Sequence, residues 1–292
     1  MTHEFDPCYA SEPFASLVGD YPGADVFPPA DFRVEWGPIF HRGRLDGSAR
    51  LLVLGQDPGQ QEAVVRRIFT GEAGQRAQGL LRKVGITRSY VMINTFLYSV
   101  YGQQSGEQHV GDDAIAEYRH RWLDGLLGPG SRVEAVIAFG HLADQAWKRW
   151  RKTPTGTACA AHYEHLTHPT QPDAASHGDP AKQAQLEKAM LQQWSAALPR
   201  LMGAISEPDE HVTPVSYGDV LTPEDHAEIP ELDLPAGLPD WMRSVNTWAS
   251  RVGDTADDKR ATVVVTVPAE LRPWVDGAPA GTPATPPPPV RG

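Results

Sequence analysis

Short apolar runs alternate with stretches of helical period through the middle of this chain, and the alternation predicts its architecture. Leu51-Leu52-Val53-Leu54 opens a strand over 51–56. Ala77, Leu80, Leu81 and Val84 then recur at helical spacing between Gln75 and Val84. A strand over 90–96 precedes a helix near 112–127, for which Asp112 or Asp113 offers an N-cap. A strand over 133–139 stops at Gly140, a helix over 141–151 follows, and a strand over 162–167 runs into His168-Pro169-Thr170. A last helix spans about 180 to 198. Strand–helix alternation of this kind predicts an α/β fold, a three-layer sandwich around a central, mainly parallel, four-stranded sheet. It occupies residues 50–203. Residues 1–49, rich in Pro, Gly and aromatics without a clear period, read as an arm packed on that core. Residues 204–292 read as an acidic, Pro-rich C-terminal extension, partly disordered, with a short helix over 240–251 and a strand over 261–267.

Charge sharpens this division. Residues 1–30 carry a net charge of −5, residues 31–205 carry +3, and residues 206–292 carry −9. A mildly basic middle keeps a nucleic-acid partner open despite the total of −11. Two cysteines, Cys8 and Cys159, are too few for a disulfide framework or a four-thiolate iron–sulfur cluster. No apolar run approaches membrane-spanning length, and the acidic N-terminus lacks a signal-peptide core, so a cytoplasmic protein without a membrane partner is expected.

The polar residues at the strand ends carry the chemistry. In an open parallel sheet, ligands bind at the carboxyl ends of the strands. There the chain places Gly55-Gln56-Asp57-Pro58-Gly59, Ile93-Asn94-Thr95 and His168-Pro169-Thr170. Taken singly, each has a plain structural reading: Asp57 initiating a turn, Asn94 capping a loop, Phe69 in the core, His168 in an ordinary loop. Together, in this order and spacing, they resemble the uracil-DNA glycosylase superfamily. Gly55-Gln56-Asp57-Pro58 is similar to the water-activating motif of the classical enzymes. Arg67-Ile68-Phe69-Thr70-Gly71-Glu72-Ala73-Gly74-Gln75 is closer to the thermophilic, iron–sulfur branch, whose cluster cysteines this chain lacks. The resemblance covers roughly residues 50–200.

The resemblance implies a DNA glycosylase of base excision repair that flips uracil, or a related deaminated or modified base, out of DNA and hydrolyses its N-glycosidic bond without a cofactor. It implies Asp57 and His168 as catalytic residues, the first orienting water and facing the sugar cation, the second donating to the base O2. It also implies Gln56, Phe69 and Asn94 as base-binding residues, and Thr170 as a phosphate contact. Gly59 departs from the classical pattern, which has a tyrosine there that excludes the thymine methyl. Residues 171–178 offer no large apolar wedge to fill the space left by a flipped base.

Three further readings come from the residues. Lys148 and Arg149, between Trp147 and Trp150, suggest either a helix end or a DNA-phosphate contact. His162, His165 and His168 alternate faces on a strand, so no metal site is expected. The extension suggests a protein partner. A non-catalytic DNA-binding module of the same fold, or a nucleoside hydrolase built on the Asp57 turn, is the alternative function.

Overall fold

The computed structural model describes residues 7–255, 258–259 and 262–272. Its centre is a five-stranded sheet in which four strands run parallel: β2 (Leu51–Gly55), β3 (Tyr90–Asn94), β4 (Ala135–Phe139) and β5 (His162–Leu166). A two-residue strand, β1 (Arg42–Gly43), pairs antiparallel with the edge of β3, giving the order β1-β3-β2-β4-β5. This fifth strand belongs to the arm. Its signal was hidden because Arg42 interrupts any apolar pattern; the side chain is nevertheless fully buried.

Side-chain alternation along the strands feeds two cores, one on each face. Leu52, Leu54, Val91, Ile93, Val136 and Ala138 face α1 (Phe14–Gly19), α5 (Asp113–Leu127) and α6 (His141–Trp150), through Phe14, Trp122 and Trp147. Leu51, Val53, Met92, Ala135 and Ile137 face α3 (Glu72–Lys83) and α9 (Pro180–Ala204), through Leu80, Leu81, Leu191 and Trp194. The result is the three-layer sandwich. Helix α9 continues past Pro199, beyond the end at 198 that the sequence suggests. Leu198 and Leu201 lie buried on its sheet-facing side, and that packing outweighs the one missing amide donor.

Shorter helices fill the connections: α2 (Gln60–Val65), α4 (Gln103–His109), α7 (Pro154–Ala158) and α8 (Gln171–Ser176). Helix α2 is too short for a periodic signal to reveal it.

Most of the described part of the extension lacks regular secondary structure, as its composition suggests. Residues 205–250 wrap the α3 side of the core, anchored by acids. Asp209 Oδ2 accepts from the amides of Thr87, Arg88 and Ser89 at 2.8–2.9 Å. Asp225 pairs with Lys83 at 3.0 Å, and Asp233 with Arg42 at 3.2 Å and Arg44 at 3.0 Å. Three acids of the extension therefore dock on the middle of the chain. The helix expected over 240–251 is instead a single turn, α10 (Trp241–Ser244), followed by β6 (Ala249–Ser250). Trp248 between them is buried with Val65, Ile229, Leu234 and Met242. β6 pairs with β7 (Val264–Val265), a shorter strand than the one expected over 261–267. The proline run 286–289 lies outside the described residues.

Candidate active site

The parallel strands deliver their polar ends to one cavity of about 350 Å³. Gln56 and Asp57 follow β2, Asn94 ends β3, and His168 and Thr170 follow β5; all five line it, together with Phe69, Thr70 and Glu62. The β2 and β3 ends are held in register by Thr95, whose amide and hydroxyl both donate to the Gly55 carbonyl at 2.9 Å.

Asp57 is half-buried and Oδ2 accepts from the Val100 amide at 3.1 Å. Burial raises its acid to about 6; the Val100 amide, the Arg251 guanidinium and a hydrogen bond from Gln56 oppose the shift without cancelling it. Near neutral pH the group is a carboxylate with high proton affinity, which suits it to hold and deprotonate a water.

His168 has the opposite perturbation. Burial, with Arg76 nearby, lowers the imidazole to about 4, so it is neutral at pH 7. Its Nδ1 faces the Thr170 amide at 3.3 Å and Oγ1 at 3.2 Å. An amide can only donate, so Nδ1 is the acceptor and Nε2 carries the ring proton. Arg76 fixes this turn by donating to the Pro169 carbonyl at 2.7 Å and to Asp173 at 2.8 Å.

Phe69 supplies a flat wall. Its ring lies 6.2 Å from that of His168 at 27°, and 5.8 Å from that of Phe139. The residue adopts φ 55°, a left-handed conformation rare for a bulky side chain. Two glycines make room for it. A Cβ on Gly55 would sit 2.6 Å from the ring and 2.2 Å from Asn94 Oδ1, and one on Gly74 would sit 1.7 Å from the Phe69 carbonyl oxygen.

Asn94 is buried, and its Nδ2 has no hydrogen-bond partner among the described residues. A buried orphan donor costs about 1–3 kcal/mol. Asn94 lines the cavity, so a ligand acceptor that reached Nδ2 would relieve that cost.

A comparison with protein-family models matches residues 42–195, more than half of the chain, to the Uracil DNA glycosylase superfamily. The chain belongs to that superfamily. Membership points to DNA glycosylase chemistry and a DNA substrate. No curated protein matches the chain. Asp57, Phe69, Asn94 and His168 fall within the part matched to the glycosylase superfamily, whereas Asn246 and Ala249, which also line the cavity, fall outside it.

Two positions singled out in the sequence are not brought to this cavity. Lys148 and Arg149 lie in the last turn of α6, paired with Asp144 at 2.6 Å and with Asp113 respectively. Since α6 starts at the β4 carboxyl end, its last turn is roughly 10 Å further along the helix from that end. The three histidines also separate: His162 pairs with Glu164, His165 lies 3.9 Å from Asp144, and only His168 lines the cavity.

Sequence reasoning missed Glu62. It is buried against the cavity, accepts from the Gly59 amide, and accepts from the Phe69 amide at 2.6 Å. A Glu three residues after the helix-capping Gly59, whose amide it accepts from, is half of a capping box and the one local hint of both it and α2.

Proposed function

We propose that this protein is a monofunctional DNA glycosylase that removes uracil, or another base produced by deamination, and leaves an abasic site. The observation that carries the reading is the unpartnered Asn94 Nδ2, set in a cavity that also holds the Phe69 ring, the Asp57 carboxylate and the neutral His168.

Each group has a role in cutting the bond between C1′ and the base nitrogen. The flipped base stacks on Phe69 and presents a carbonyl to Asn94 Nδ2. As the bond breaks, its electron pair goes to the base and positive charge builds on the sugar. His168 donates its Nε2 proton in a hydrogen bond to the developing oxyanion, and preorganised donors of this kind are worth about 2.7–4 kcal/mol each. Asp57 faces the sugar cation, orients the water that adds to C1′, and takes its proton. No step needs a metal or an organic cofactor.

The test is alkali-induced strand cleavage of labelled oligonucleotides bearing uracil, hypoxanthine, xanthine or a thymine mismatch, with Asp57→Asn as control. Cleavage of a deaminated base that is lost in the variant supports the reading. Binding without cleavage of any substrate points to a non-catalytic module, and cleavage of free nucleosides in preference to DNA points to a nucleoside hydrolase.

A further inference from the structure

A base drawn out of a duplex leaves a gap in the stack, and proteins that open or kink DNA fill such gaps with apolar side chains. The turn after His168 offers no large one, since α8 carries no apolar side chain bigger than proline. Exposed apolar side chains stand instead in the C-terminal extension. Val264 and Val265 make up β7, and they are 42% and 43% exposed.

The pairing of β7 with β6 sets Val265 opposite Ala249 and Val264 opposite Ser250. Residues directly opposite in an antiparallel pair project from the same face of the ribbon, and neighbours along a strand project from opposite faces. Val265 therefore shares a face with Ala249, which lines the cavity. Ala249 is buried and Val265 is exposed, so this face runs from the cavity wall out to the rim. Val263 still packs against the Trp248 cluster, and Val265 has passed beyond it. Among the described residues, no other exposed large apolar side chain is paired in a ladder with a cavity-lining residue.

The ribbon is also backed by the core. Gln61 Nε2 donates to the Asn246 carbonyl at 2.8 Å, the Thr266 amide donates to the Trp248 carbonyl at 2.7 Å, and the Trp248 ring is buried. A side chain supported in this way can press into a stack without being pushed aside. Burial between bases would also remove its apolar surface from water.

We propose that Val265 is an apolar wedge that enters double-stranded DNA where the flipped base has left and hinders its return. A duplex that delivers a base to the cavity crosses the rim on which Val265 stands. This inference rests on the glycosylase reading, and its test separates the two.

Single-turnover excision is measured with the full-length protein on one labelled strand, alone and annealed to its complement. The strand carries whichever of uracil, hypoxanthine or xanthine the parent removes fastest. A wedge matters only where a partner strand and an intact stack must be held open, so the two substrates separate wedging from chemistry. Val265→Ser is expected to lose roughly tenfold or more on the duplex and to stay within about twofold of the parent on the single strand. Val265→Leu, which restores an apolar side chain, should keep the duplex rate. Val264→Ser, equally exposed on the opposite face, should leave both rates unchanged. A duplex rate for Val265→Ser within about twofold of the parent overturns the inference and leaves the glycosylase reading standing. So does an equal loss on both substrates, an equal loss in Val264→Ser, or a parent that acts on the single strand alone. Parent protein that removes no base from either substrate overturns both.

Discussion

Glu62 Oε1 accepts a hydrogen bond from the Phe69 amide at 2.6 Å, while Oε2 accepts from the amide of Gly59. One buried carboxylate thus ties the turn that carries Asp57 to the ring that forms the cavity wall. Phe69 needs the restraint, because a left-handed conformation costs a bulky residue about 1–2 kcal/mol. Glu62 is itself strained electrostatically: burial, and to a smaller extent the neighbouring Asp57, raises its acid to about 7 despite the two amides.

Removing that tie should cost both stability and activity. Glu62→Ala leaves two amides near a half-closed cavity without their acceptor, a loss of about 2 kcal/mol or more. Urea unfolding measures the first effect. Single-turnover excision measures the second, and a fall of at least tenfold is expected because Phe69 and Asp57 lose their common anchor. Unchanged stability together with unchanged turnover would show that Glu62 holds neither.

The pH dependence of excision follows from two groups shifted in opposite directions. Asp57 must be ionised to accept a proton from water and titrates at about 6, whereas His168 stays neutral down to about 4. The rate should therefore fall at least tenfold per pH unit below 6 as Asp57 is protonated, and more steeply where protonation of Glu62, at about 7, also loosens the Phe69 and Asp57 anchors. Above 7 it should be flat until DNA or protein groups outside the site titrate. A single-turnover profile from pH 4.5 to 9 checks this. A limb that survives in Asp57→Asn would belong to another residue.

Stability gives an independent reading of the same carboxyl. Its folded value of about 6 exceeds the ordinary 3.8, so between these values the folded chain binds more protons than the unfolded one. The favourable contribution is complete below about pH 4 and is lost as pH rises through 6. Above that, the folded protein carries a partly buried charge, at a cost of about 1–3 kcal/mol. Asparagine avoids the cost. Asp57→Asn should melt at a higher temperature than the parent at pH 8, and the difference should close towards pH 4. A variant less stable at pH 8 would mean that the carboxylate contributes to folding rather than opposing it.

What could be read in advance was what local pattern encodes. β2 and β3 are apolar runs that stop abruptly at Gln56-Asp57 and at Asn94, so both their faces and their polar ends are legible. His168 follows from a strand that halts before Pro169. The missing parts depend on partners far away in sequence. β1 exists because Arg42 is neutralised by Asp233, 191 residues later, and nothing around Arg42 announces that. Asn246 is a wall of the cavity only because Trp248 and Gln61 pin its segment, and neither contact leaves a period in the chain. The docking of the extension is illegible for a related reason: its prolines and acids give the composition of a solvated tail, yet Asp209, Asp225 and Asp233 meet amides, a lysine and arginines of the core.

That matching makes Asp233 the most exposed point of failure in the fold, although it is itself buried. Its carboxylate meets Arg42 and Arg44 and accepts from the Tyr90 hydroxyl. Arg42 in turn donates from Nε to the Ile68 carbonyl at 2.8 Å, one residue before the Phe69 platform. Asp233→Ala would strand a fully buried guanidinium, a change that costs roughly 3–5 kcal/mol. It would also loosen the extension that brings Asn246 to the cavity. The variant is expected to lose that much stability in urea, and to be cut by protease within residues 205–250 at concentrations the parent resists. Protease resistance and stability equal to the parent's would mean that the extension docks without this charge.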